Sequence, residues 1–206
     1  MLTSITIKIE YDYMSLVLIM TLSFDGDSLS KFLSDRVRFK LYACQRRLKN
    51  LKNIESKYGN LASADVRLSA EIEVDCLLSQ MIGTVDSLLI EINDKLELGI
   101  SIDKVEMVTV LSGLLAKTNK IELLEDLENA SQYGNWYWLV QQLRNYSFHS
   151  SLILMPANST RLYLPRMPTS SVNDSTSIEL IPYLEQSLNK LKKLIENIRM
   201  KEEHIP

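Results

Sequence analysis

The sequence predicts a mainly α protein, an up-and-down helical bundle with a small N-terminal β element. Three observations predict it. Glycine and proline number 6 and 5 in 206 residues, too few for the turns of an all-β chain. Apolar residues recur at helical spacing over several long stretches. Period-two alternation is confined to the first dozen residues. With 46% hydrophobic and 24% charged residues, the composition is that of a globular domain rather than a disordered chain. A chain of this length buries a sizeable core without disulfides or a structural metal. Residues 1–27 read as a strand or hairpin decoration and 28–206 as the bundle, one domain overall, with no internal repeat.

The elements follow in order. Ile5, Ile7, Ile9 and Tyr11 alternate with Ser4, Thr6, Lys8 and Glu10, the pattern of a half-buried strand. Met14–Leu22 is a second strand candidate or a buried helical turn, and Asp25-Gly26-Asp27-Ser28 breaks the pattern. A helix is expected from about Leu29 to Tyr58, closed by Gly59-Asn60. A second, long helix runs from about Ser63 to Leu98, with a kink near Gly83 and a stop at Gly99. Ser101 and Asp103 cap a third helix over about 104–118, and a short segment at Ile121–Asn129 follows. The next helix, about Gly134–Ser150, holds both tryptophans and His149. Three prolines then mark a long connection, with a short strand candidate at Arg161–Leu164. The final helix spans about Ile178–Glu203. Long helices with short connections pack as antiparallel neighbours.

Charge and cysteine usage narrow the function classes. The net charge is −3, from 23 basic and 26 acidic residues, so there is no global basic excess for non-specific nucleic-acid binding. The count conceals a basic first helix, with Arg36, Arg38, Lys40, Arg46, Arg47, Lys49, Lys52 and Lys57. These residues form either a solvated face or a surface that guides RNA. Cys44 and Cys76 read as reduced thiols, and no zinc-type Cys/His cluster is present. The acidic residues Glu71, Glu73, Asp75, Asp86, Glu91 and Asp94 on the second helix lack the Glu-x-x-His partner of a di-metal bundle. No cofactor is expected. The run Met14–Leu22 is too short for a membrane span and lacks a basic leader. The expectation is therefore a soluble, cytoplasmic protein with no membrane association. Met14 offers a second start, and the alternating strand ahead of it favours Met1.

One constellation carries chemistry: Arg144-Asn145-Tyr146-Ser147-Phe148-His149. Histidine exchanges protons near neutrality. Arginine offers a planar fork of donors to a phosphate and its developing charge. Asparagine can fix an imidazole tautomer or a phosphate oxygen. Together they suit attack of a ribose hydroxyl on the neighbouring phosphate without a metal. On a straight helix the five-residue spacing turns Arg144 and His149 about 140° apart, so a shared site needs the helix to end or distort between them.

Arg144-Asn145, three residues and His149 match the R-N-x-x-x-H form of the R-x4–6-H motif, and here the chain resembles the HEPN domain superfamily. The resemblance implies a dimerising helical bundle and a metal-independent endoribonuclease, in many members the toxin of a pair with a nucleotidyltransferase antitoxin. It implies a composite cleft from two subunits, with Arg144 holding phosphate, His149 as general acid or base, and Asn145 supporting it. A subset of the family carries, two residues after the histidine, a tyrosine that the antitoxin modifies; here the position is Ser151.

The plainer readings stand beside these. His149 can be a helix-end histidine satisfied by backbone carbonyls, and Arg144 an ion-pair partner of Glu125 or Glu128. Trp136, Tyr137 and Trp138 read as core or interface, and His204 as an inert tail residue. The alternative function is a non-catalytic HEPN-like helical dimer that binds a protein or nucleotide.

Overall fold

A computed structural model describes residues 26–58, 64–117, 121–147, 161–164 and 178–202. Its helices are α1 (Gly26–Ser34), α2 (Arg36–Tyr58), α3 (Ala64–Lys95), α4 (Met107–Ala116), α5 (Ile121–Ser131), α6 (Trp136–Ser147) and α7 (Leu180–Glu202), with a 3-10 turn at Ile102–Lys104. The molecule is mainly helical, with a small antiparallel sheet of β1 (Tyr163–Leu164) and β2 (Ile178–Glu179) among the described residues.

The centre of the bundle is α3. Its 32 residues span about 48 Å at the helical rise. Most of its buried residues come in adjacent pairs, Leu77-Leu78, Thr84-Val85, Leu88-Leu89 and Ile92-Asn93, a broad apolar face, and α2, α4, α6 and α7 all pack against the helix. It therefore has neighbours on more than one side. Cross-helix partners fix their directions. Lys40 meets Gly83 and Arg47 meets Glu73, so α2 and α3 run antiparallel. Lys52 pairs with Glu185 and Asp35 with Arg199, so α7 runs antiparallel to α2. The up-and-down arrangement expected of long apolar-striped helices is the one observed.

Several boundaries differ from the sequence reading. The first helix is two helices, because Asp35 leaves the helical path and caps α2: its Oδ1 accepts from the Arg38 amide at 2.9 Å. Gly83 does not break α3, which is one continuous helix. Instead it makes room for the Lys40 ammonium, which donates to the Gly83 carbonyl at 2.8 Å. The helix stops at Lys95, ahead of Gly99, because Glu97 takes the left-handed conformation (φ 49°). The Leu98 amide then reaches back to the Asn93 carbonyl at 3.0 Å, and the Asn93 side chain clasps both backbone groups of Ile100.

Helix α4 begins at Met107 rather than near 104, because Glu106 and Thr109 form a reciprocal capping box while Ser101 makes no side-chain cap. Ile178 and Glu179, expected to open the last helix, are extended and pair with Leu164 and Tyr163. Pro182 is tolerated in the first turn of α7, where amides lack intrahelical partners. The β element expected within residues 1–27 lies outside the described residues, apart from Gly26 and Asp27 in α1.

One end of the bundle is closed by charge. Arg199 forms two hydrogen bonds with Asp35, at 3.1 and 2.9 Å, and a third with Glu91 at 2.9 Å. Lys95 also pairs with Glu91, and Lys201 with Asp126. Burial pushes the Asp35 carboxyl up, but the Arg199 hydrogen bonds, the Arg38 amide and both cations outweigh it and hold the group below its usual value.

Candidate functional site

The candidate residues sit on and just after α6. Gly134 (φ 80°) turns the chain between α5 and α6. Tyr137, Val140 and Leu143 are the buried face of α6. Arg144, seven residues after Tyr137, sits half-buried near that face, while its neighbour Asn145 is exposed. His149 falls outside the described residues, as do Ser151 and His204.

The last turn of α6 is fixed to α3. The Ser147 hydroxyl lies 2.6 Å from the Arg144 carbonyl and 2.8 Å from Asp75 Oδ1. Further along α3, Asp86 lies within electrostatic reach of both Lys40 and Arg144. Partial desolvation raises the Asp86 pKa, and the two cations pull against that rise without cancelling it. Burial raises the Tyr137 pKa most strongly; the Asp86 charge adds to the rise and a hydrogen bond with Gln141 opposes it. Arg144 is therefore within electrostatic reach of an acid of α3 that the sequence does not single out as its partner.

Asp86 carries no local motif that marks it as part of this site. In sequence it reads as one of several acids on a long helix. Only the antiparallel pairing of α3 with α6 brings it towards Arg144. Two other acids of α3 also acquire cationic partners: Glu73 takes Arg47 of α2, with Asn50 beside it, and Glu91 takes Arg199 of α7 and Lys95 of α3 itself. Among the described residues no group of three or more His, Cys, Asp or Glu side chains could hold a metal ion.

The aromatic run divides as a core element does. Tyr137 is buried, Trp136 packs half-buried against the core, and Trp138 lies tilted against exposed Tyr133 with ring centres 4.6 Å apart. Both cysteines are free thiols. Cys44 is fully buried beside Thr84, and burial pushes its pKa up to about 12. No described helix is long and apolar enough to cross a membrane.

Compared with protein-family models, curated proteins and solved structures, the chain matches none.

Proposed function

We propose that this chain is a metal-independent endoribonuclease of the HEPN type, working as a homodimer in a toxin–antitoxin or defence setting. The observation that carries the reading is Arg144-Asn145, followed by His149, at the end of a bundle helix. The substrate is RNA because the reaction uses its own 2′-hydroxyl. That oxygen attacks the adjacent phosphorus and the 5′-oxygen leaves, giving a 2′,3′-cyclic phosphate and a 5′-hydroxyl. His149 exchanges the proton of the attacking or leaving oxygen. Arg144 neutralises the charge that builds on the phosphate, and Asn145 orients the imidazole or a phosphate oxygen.

A second copy of the chain completes the cleft with its own motif. Exposed Leu68 and Ile72 on α3 and Tyr146 on α6 offer apolar surface for that contact. They lie near the Ser147–Asp75 bond that joins the two helices. The same surface favours a second reading, a non-catalytic dimer that binds a protein such as a nucleotidyltransferase antitoxin. Incubation of purified protein with RNA in EDTA separates the two. The nuclease reading expects cleavage that Arg144→Ala and His149→Ala each abolish. The binding-module reading expects no cleavage by any of the three proteins.

A further inference from the structure

The packing sorts the basic residues of α2 into two groups. Arg47 is paired with Glu73, Lys52 with Glu185, and Lys40 lies on the Gly83 carbonyl. These cations hold the bundle together. At the first turn of α2 the arrangement changes, because its arginines lie over rings. The Arg36 guanidinium sits 4.7 Å above the Phe39 ring, and that of Arg38 sits 5.9 Å above Phe32. Phe32 also meets Phe39 and Tyr42 edge-on. Between α1 and α2 lies an open cleft of about 320 Å³, lined by Ser28, Lys31, Phe32, Asp35 and Arg38.

The charge of this cleft follows from the network behind it. Among the described residues Asp35 is the one acid in the lining, and both its oxygens are engaged. Oδ1 accepts from the Arg38 amide and Arg199, and Oδ2 accepts from Arg199. The carboxylate's charge is thus balanced by a cation outside the cleft. Two cations, Lys31 and Arg38, line the cleft against this one carboxylate, so the described lining is net positive and attracts an anion. A guanidinium lying on a phenyl ring keeps a second planar face, on which a nucleobase can stack.

We propose that the α1–α2 cleft binds single-stranded nucleic acid, with Lys31 and Arg38 holding a phosphate and the Arg38–Phe32 pair stacking an adjacent base. A single strand fits because a duplex keeps its base faces stacked inside. The choice of RNA as that strand rests on the ribonuclease reading; the cleft chemistry itself does not.

The test is fluorescence anisotropy with a 2′-O-methylated single-stranded RNA, which cannot be cleaved through its 2′-oxygen. Binding and cleavage can then fail separately. Lys31→Gln and Arg38→Gln each remove one cation and leave the Arg38 amide cap intact. Each phosphate contact on a single strand contributes about 0.7 to the salt slope, which is about fivefold in affinity at 0.1 M salt. Because the two side chains hold one phosphate, the pair of substitutions should weaken binding about fivefold and lower the slope by about 0.7. Arg46→Gln, on exposed α2 surface outside the cleft lining, should stay within about twofold, since it removes no cleft contact. Melting curves check that each variant is folded, and the single variants serve if the double does not fold. Four outcomes overturn the proposal: no binding by the wild type, binding unchanged by the cleft substitutions, an equal loss from Arg46→Gln, or binding of a mononucleotide in preference to the strand.

Discussion

Substituting Arg199 by methionine tests whether charge closes one end of the bundle. The substitution removes three charge-assisted hydrogen bonds, two to Asp35 and one to Glu91. The side chains of Arg199, Asp35 and Glu91 are 31%, 30% and 21% exposed, between the surface and buried cases. Exposed pairs contribute about 0.2–1 kcal/mol, while orphaning a fully buried charge costs about 3–5 kcal/mol. Two features of the site moderate the loss. Asp35 keeps the Arg38 amide and Glu91 keeps Lys95. Methionine also removes the buried Arg199 Nε, which has no partner. The expected cost is about 2 kcal/mol, or about 4–8 °C in Tm for a chain of this size.

The pH dependence has a definite sign. The folded Asp35 carboxyl titrates below its ordinary value of 3.8. Its contribution is therefore complete above that value and is lost as pH falls through the folded pKa. Melting by circular dichroism should show a constant gap between wild type and Arg199→Met above about pH 5, closing below the ordinary carboxylate range. A gap under about 1 °C at pH 7, or one that persists unchanged in acid, would refute the reasoning.

Other outcomes follow from single contacts. Leu88→Ala empties a fully buried position in the C-terminal half of α3 and should cost about 3–4 kcal/mol in urea unfolding; a loss under about 1 kcal/mol would contradict the packing. Gly83→Ala places a Cβ 3.1 Å from the flexible Lys40 ammonium. The helix gains about 1 kcal/mol and the Lys40 hydrogen bond loses about as much, so Tm should move by less than about 3 °C. A large drop would mean that Lys40 cannot shift. Burial and the raised pKa of Cys44 predict that a disulfide reagent labels Cys76 first in the native protein. Cys44 should react at Cys76's rate only after denaturation, and equal native rates would contradict its burial.

The bundle was legible because α3 and α7 are read by periodicity alone. Their apolar residues recur at three and four, and that spacing becomes the buried face. What escaped was decided by single side chains that compete with the helix. Asp35 has the same composition value as any surface acid, yet its reach to the Arg38 amide divides one expected helix into two. Glu106 and Thr109 displace Ser101 and Asp103 as the cap of α4 because both members bond reciprocally. Glu97 takes a left-handed conformation two residues before Gly99, which is left-handed as well, so the helix ends ahead of the position that glycine preference alone points to. At the candidate site the motif was readable as residue types, but its electrostatic partner was not. Asp86 precedes Arg144 by more than fifty residues and approaches it only through the packing of α3 on α6.

The most direct test of the central claim is RNA cleavage in excess EDTA by wild type, Arg144→Ala and His149→Ala, each confirmed folded by its melting curve. The account predicts cleavage by the wild type, with products ending in 2′,3′-cyclic phosphate, and a loss of at least about 100-fold in each variant. Equal cleavage by His149→Ala, or none by the wild type, would contradict it.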